Sequence, residues 1–247
     1  MIESFIGADP WLLCIGLLVT YLAATVQATI GFGFSMICVP ILSLVHESLT
    51  PVPQLFALLP LTVGMAFRER KDIDYGGIGW VVLGRLIGAL IGVGCLMIVS
   101  EMALKAVIGS IVLCAVILVW QQPSIGRTRL TEIVGGTASG FGALVSSIGG
   151  PMLALLYRNE KGSTLRASMA AIFVIGLCFS FGFRILSGFI AWRDVTIGCC
   201  FMVPTLIGLK TSNSFIAKIE GSKLKGLILV VAGTSSVALI AQGFSLF

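Results

Sequence analysis

Charge is what this sequence has least of. Asp, Glu, Lys and Arg make up 11% of its 247 residues, against roughly 25% in a soluble domain, so little charge is available to cover a water-facing surface. The deficit is concentrated in stretches. Residues 11–45, 48–67, 106–126, 133–157, 167–183 and 226–247 hold no charged side chain, and residues 75–100 hold only Arg85. The chain has one histidine, His46, and no carboxylate in any apolar run. That argues against a membrane enzyme, which would need convergent His, Cys or carboxylate groups inside the bilayer, and no catalytic residues are assigned. No Walker-type glycine loop is present, so ATP hydrolysis within this chain is excluded. The seven cysteines (Cys14, Cys38, Cys95, Cys114, Cys178, Cys199 and Cys200) all lie in apolar segments without metal spacing. Neither a metal site nor disulfides are expected. Basic patches interleaved with aromatics are missing too, which speaks against nucleic acid. The first ten residues, MIESFIGADP, lack the positive region of a signal peptide and are expected to be a mature end.

What the sequence does have is apolar length. Hydrophobic residues make up 57% of the chain and its mean hydropathy is +1.07. A helical crossing needs about 20 apolar residues, and most of the uncharged runs qualify. The chain is therefore an all-α polytopic membrane protein. Its net charge of +5 sits mostly in short loops between runs, where cations set topology.

Laid over itself at an offset of about 116, the sequence repeats. Gly33-Phe34-Ser35-Met36 then lies over Gly149-Gly150-Pro151-Met152, and Phe67-Arg68 over Phe183-Arg184. Farther on the offset becomes 120, with Leu86-Ile87-Gly88 over Leu206-Ile207-Gly208. Two repeats are expected in one membrane domain. The first, 1–126, holds a hairpin at 11–45 and spans near 50–67, 76–99 and 102–121. The second, 127–247, holds a hairpin at 131–157 and spans near 166–184, 193–209 and 224–245.

Charge decides their relative orientation. If each hairpin enters the membrane and returns to the same side, the two repeats have inverted topology. Arg68, Arg70, Lys71, Arg127, Arg129, Arg158, Lys161, Arg166, Lys210, Lys218, Lys223 and Lys225 then share one side, leaving Lys105, Arg184 and Arg193 on the other. Twelve against three is the asymmetry the positive-inside rule asks for. The N- and C-termini are then expected outside, in a bacterial inner membrane. As helix, the hairpin segments cover about 52 Å and about 40 Å, short of two full crossings of a ~30 Å core. Each is expected to be broken or re-entrant.

The breaks are expected at glycines, which tolerate the backbone conformations that end a helix. The first segment reads Gln27-Ala28-Thr29-Ile30-Gly31-Phe32-Gly33-Phe34-Ser35, and the second Ser146-Ser147-Ile148-Gly149-Gly150-Pro151. Proline starts helices, so Pro151 fits a new half-helix. Broken helices at membrane depth expose backbone groups that only a polar cavity satisfies, and helix N-termini attract anions. Two related breaks would face one midplane site. The candidate substrate-binding residues are Gln27, Thr29, Gly31, Gly33, Ser35, Ser146, Ser147, Gly149 and Gly150, together with Arg85. Arg85 lies about 15 Å into its span by helical rise. It either meets the anion or snorkels to the interface. Gly84, Gly88 and Gly92 read as a close-packing face. Gln54 and Thr62 either line a pathway or bond a neighbouring helix.

The segment Gly31-Phe32-Gly33 to Pro40, its second copy at Ser147–Pro151, and the loop Phe67-Arg68-Glu69-Arg70-Lys71-Asp72-Ile73-Asp74 resemble the TauE/SafE family of sulfite exporters and membrane permeases. The resemblance runs along essentially the whole chain. It departs at Phe34 and Ser35, where the first break often carries more glycine, and at Ser147-Ile148, which precede only two glycines. It implies outward transport of sulfite, thiosulfate or an organosulfonate. The leading expectation is a secondary transporter without cofactor, with H⁺ or Na⁺ as candidate coupling ions, and a homodimer left open. The alternatives are a passive anion channel and a non-transporting membrane assembly subunit.

Overall fold

A computed structural model describes residues 10–123, 125–216 and 221–244. The first nine residues and Lys218 lie outside the described residues, as do the side chains of Lys223 and Lys225. All described regular structure is helical. The helices are α1 (Pro10–Ile30), α2 (Phe34–Val45), α3 (Val52–Arg68), α4 (Ile78–Ile98), α5 (Glu101–Gln121), α6 (Arg129–Ser146), α7 (Gly150–Leu156), α8 (Gly162–Leu186), α9 (Trp192–Ser212) and α10 (Gly221–Phe244). Single 3₁₀ turns at Glu47–Leu49 and Arg70–Asp72 precede and follow α3.

Local chemistry explains the boundaries. Ser100 Oγ accepts from the Ala103 amide and caps α5. Thr128 and Thr131 bond each other's amides reciprocally at the start of α6, satisfying donors that a helix leaves orphaned. Asp194 accepts from the Ala191 amide at the start of α9. Asp194 thus serves the helix end, not a buried site.

Six described helices are long and apolar enough to cross a membrane: α1, α3 (taken with its leading turn), α4, α5, α8 and α9. The protein is thus a multi-pass membrane protein. The two hairpins are uneven. α1 has 21 residues, a rise of about 31 Å, and α2 has 12, about 18 Å. α6 has 18, about 27 Å, and α7 only 7, about 10 Å. Each hairpin is thus one near-full limb and one short return. α8 starts at Gly162, four residues ahead of the expected span.

Packing follows a paired pattern. α4 lies against α6 and α9 against α1; α3 lies against α9, and α4 against α8; α2 lies against α10, and α5 against α7. α5 meets α10, and α3 meets α8. Glycines permit the closest approaches. A Cβ on Gly84 or Gly88 would overlap the carbonyl oxygens of Ile133 and Thr137 on α6. On Gly208 it would lie 2.9 Å from the Tyr21 carbonyl oxygen of α1. The glycine face of α4 is therefore the surface that seats the second hairpin.

The interior holds two apolar clusters. One includes Met36, Val39, Val112, Leu153, Tyr157, Met169, Ile172 and Ile228; the other includes Phe34, Cys38, Leu42, Leu55, Leu61, Ile197 and Phe201. α2 contributes to both. The outer surface is apolar as well, with Leu22, Leu90, Ile91, Val203 and Leu206 exposed, as a lipid-facing wall requires. Trp11, Trp120 and Trp192 are exposed at helix ends, where amphipathic rings meet headgroups.

Charged loops gather at one end. Arg127 binds Asp74 at 2.5 Å, Glu160 at 3.2 Å and Glu132 at 3.3 Å, and also the Gly76 carbonyl. Arg166 binds Glu69 at 2.8 Å. Arg68 reaches Ser212 at 2.9 Å and Asn213 at 3.0 Å. Lys105 instead pairs with Glu47 at 3.3 Å, away from this cluster.

Candidate functional site

Both hairpins turn with a left-handed residue. Gly31 follows α1 with φ +103° and Gly33 has φ +112°. Ser147 follows α6 with φ +61°, a conformation that stabilises helix C-termini but costs a non-glycine residue energy. The Ile148 amide reaches back to the Gly142 carbonyl at 3.0 Å, closing the end of α6. The two tips touch: a Cβ on Gly150 would lie 3.1 Å from the Phe32 Cβ.

A cavity of about 30 Å³ lies where the tips meet, lined by Gln27, Gly33, Ser35, Thr62, Arg85, Ser147, Gly149 and Gly150 among others. That volume holds one or two waters. Met36, Leu55, Leu58, Phe173 and Leu177 supply its apolar wall. Thr62 donates back to Leu58 of its own helix at 2.9 Å and faces the cavity. Gln54 donates to the Leu49 carbonyl at 3.1 Å and does not line the cavity.

Arg85 dominates the site. It is 3% exposed, so it does not snorkel. Its Nη1 donates to Ser139 Oγ at 2.7 Å, and Ser139 Oγ donates to the Gly149 carbonyl at 2.6 Å. The guanidinium carbon lies 5.6 Å from the Phe173 ring centre, within cation–π range. Its Nε has no protein partner, and no ion pair to it occurs among the described residues. Gly176 on α8 makes the room, because a Cβ there would overlap the guanidinium. Gln27 is the second poised donor. Its Oε1 accepts from the Phe34 amide at 3.1 Å, capping α2, which leaves Nε2 buried without a partner.

Seven of the ten sequence candidates line this cavity, and three do not. Thr29 bonds the Thr25 carbonyl at 2.7 Å and faces a lateral apolar cleft between α1, α2 and α10. Ser146 donates to the Gly142 carbonyl of its own helix. Gly31 packs against Leu165 and Arg166. Ser147 lines the cavity while its hydroxyl donates to the Pro51 carbonyl at 2.8 Å.

The sequence missed two residues. Ser139 orients Arg85, yet its counterpart in the first repeat is Ala23, so the repeat gave no signal. Arg184, expected at the outer end of the span near 166–184, is 3% exposed and donates to the Leu144 and Val145 carbonyls. Its position in register with Arg68 was the available signal.

The family model described as sulfite exporter TauE/SafE matches residues 16–239. The chain belongs to the TauE/SafE family. This is a family of membrane transporters, not of enzymes. No curated protein and no solved structure matches the chain. The matched region of this TauE/SafE member contains every cavity residue named above.

Proposed function

We propose that the protein is a secondary transporter, working outward, for a small sulfur-containing anion such as sulfite, thiosulfate or an organosulfonate. The observation that carries this reading is Arg85, a buried cation with an unused donor and, among the described residues, no acidic partner, at the junction of two helix breaks. A cation at membrane depth costs at least about 2.5–3.5 kcal/mol, and an anion in the cavity would relieve that cost. The Gln27 amide, Ser35 and the first turn of α2 add donors to the same space.

Alternating access is supported by the packing. The main contacts between each hairpin and the opposite half come in exchanged pairs, α6 with α4 and α1 with α9, α7 with α5 and α2 with α10, as expected of a duplicated transporter fold. A cavity with room for one or two waters favours gated transport over a continuously open channel. The anion must then displace side chains on entry. The end that gathers Arg68, Arg127, Arg158 and Arg166 is assigned to the cytoplasm by the positive-inside rule, with both chain ends outside in an inner membrane.

Reconstituted protein tests the reading. Wild type should show saturable sulfite flux with counterflow, and imposed H⁺ and Na⁺ gradients identify any coupling ion. Arg85→Gln should lower affinity at least several-fold with folding intact, and Arg85→Lys should keep part of it. Unchanged flux in Arg85→Gln would refute the site. Labelling of cysteines placed at Glu69 and Lys161 from opposite sides would refute the topology.

A further inference from the structure

The cavity holds one fixed charge and nothing nearby to balance a second. Among the described residues, Arg85 is the only cation lining it, and no carboxylate does. The other ionisable groups on the helices packed around Arg85 are accounted for. On α6, Glu132 binds Arg127 and Arg129 stacks on Trp80. On α8, Arg166 binds Glu69, Cys178 is exposed, and Arg184 is bound to the Leu144 and Val145 carbonyls. Arg184 lies eight residues beyond Gly176, about 12 Å along the helix, too far to share an anion with Arg85.

The rest of the lining does not substitute for a cation. Ser147 Oγ and Ser139 Oγ already donate to carbonyls, and Thr62 donates to its own helix. What remains for a ligand is the guanidinium, the neutral Gln27 Nε2 and Ser35 hydroxyl groups and backbone amides, opposite a wall of Met36, Leu55, Leu58, Phe173 and Leu177. A singly charged ligand would neutralise Arg85 and set its uncharged part against that wall. A doubly charged one would leave a net negative charge desolvated among apolar side chains, which is strongly unfavourable.

We propose that the cavity selects by charge: it takes monoanions, such as a sulfonate or singly protonated sulfite, and rejects dianions of the same shape, such as sulfate. This rests on the reading of the cavity as the anion site. It narrows the substrates proposed above by charge: thiosulfate, a dianion, drops out, and an organosulfonate or singly protonated sulfite remains.

Methanesulfonate and sulfate form the test pair. Both are tetrahedral at sulfur, and they differ by a methyl group in place of one of the four equivalent oxygens of sulfate, which removes one negative charge. Calorimetry on the purified full-length protein at one neutral pH, with chloride as the common background, should give methanesulfonate at least tenfold tighter binding than sulfate. In proteoliposomes the same order should hold for inhibition of sulfite flux. Arg85→Gln should weaken methanesulfonate binding and shrink the ratio, while Arg85→Lys should keep it. Equal affinities, or tighter sulfate, would overturn charge selection while leaving the anion site standing. A full preference retained in Arg85→Gln would overturn the role of Arg85 in it. Binding of neither anion would instead overturn the anion site itself, and charge selection with it.

Discussion

The two helix breaks are built on one plan and anchored in two different ways. In the first, Arg68 at the end of α3 donates to the Ala28 carbonyl, in the last turn of α1, at 2.6 Å. In the second, Arg184 in the last turn of α8 donates to the Leu144 carbonyl, in the last turn of α6. Both arginines and both carbonyls stand 116 positions apart. A cation on the free carbonyls of a helix end is favourable on both dipole and hydrogen-bonding grounds. The surroundings differ. Arg68 also holds Ser212, Asn213 and Glu69 and is partly exposed. Arg184 is sealed, with backbone carbonyls as its hydrogen-bond partners. The same latch is thus exchangeable with water at one break and dry at the other.

The largest expected effect follows from the dry latch. Arg184→Met leaves the Leu144 and Val145 carbonyls without their donor, at about 1–3 kcal/mol per buried group. Relief from burying a cation offsets part of this, so the net loss should be about 2–3 kcal/mol. A lower thermal midpoint in detergent would record it. Arg68→Met should cost about 1 kcal/mol, because water and Asn213 can serve the Ala28 end. Equal losses would show that the two latches are energetically alike.

How much of this was legible follows from what each signal encodes. Charge-free runs report lipid exposure, so the all-helical, multi-pass membrane class was readable. The glycines at 31, 33, 149 and 150 report backbone geometry, so the breaks were readable too. Side-chain direction was not. Thr29 and Ser35 are six residues apart but lie on opposite sides of the Gly31 turn, so one faces a lateral cleft and the other the cavity. Arg184 looked like a cation at the outer end of its span because it lies just beyond a charge-free run. The length of α8, 25 residues, carries it inside instead. The total length of a hairpin run also hides how it divides, which is why the near-full limb α1 and the short return α2 could not be told apart.

The turns sharpen the comparison at a middle magnitude. Gly31→Ala places a side chain at φ +103°, and its Cβ would lie 2.6 Å from Leu165 Cδ2. Strain of this kind costs about 1–3 kcal/mol, and about 2 kcal/mol is expected because Leu165 can rotate. Ser147→Gly should be close to neutral. It relieves a left-handed serine by about 1 kcal/mol and gives up a hydroxyl bond to Pro51 of about the same worth. Thermal midpoints for both variants check the pair; a cost for Ser147→Gly as large as that for Gly31→Ala would mean the Pro51 bond holds the second tip.

The smallest expected effect lies at Asp74, in a loop, and Asp194, in the first turn of α9, which stand 120 positions apart. Asp194 accepts from the Ala191 amide at an exposed helix start, a role that asparagine fills as well, so Asp194→Asn should change stability by less than about 0.5 kcal/mol. Asp74 accepts from Arg127 at 2.5 Å and from the Gly76 amide at 2.9 Å. The Arg127 hydrogen bond holds its carboxyl below the usual carboxylate range. A carboxyl with a lowered folded-state pKa contributes stability that is fully present above the unfolded value near 4 and is lost as pH falls through the folded value. Because Asp74 is about a third exposed, solvent screening limits the contribution to about 0.5–1 kcal/mol. Asp74→Asn should therefore lower the thermal midpoint slightly at pH 7, and the gap from wild type should close only below about pH 4. A gap that persists under stronger acid would mean that Asp74 contributes through shape and not through its charge.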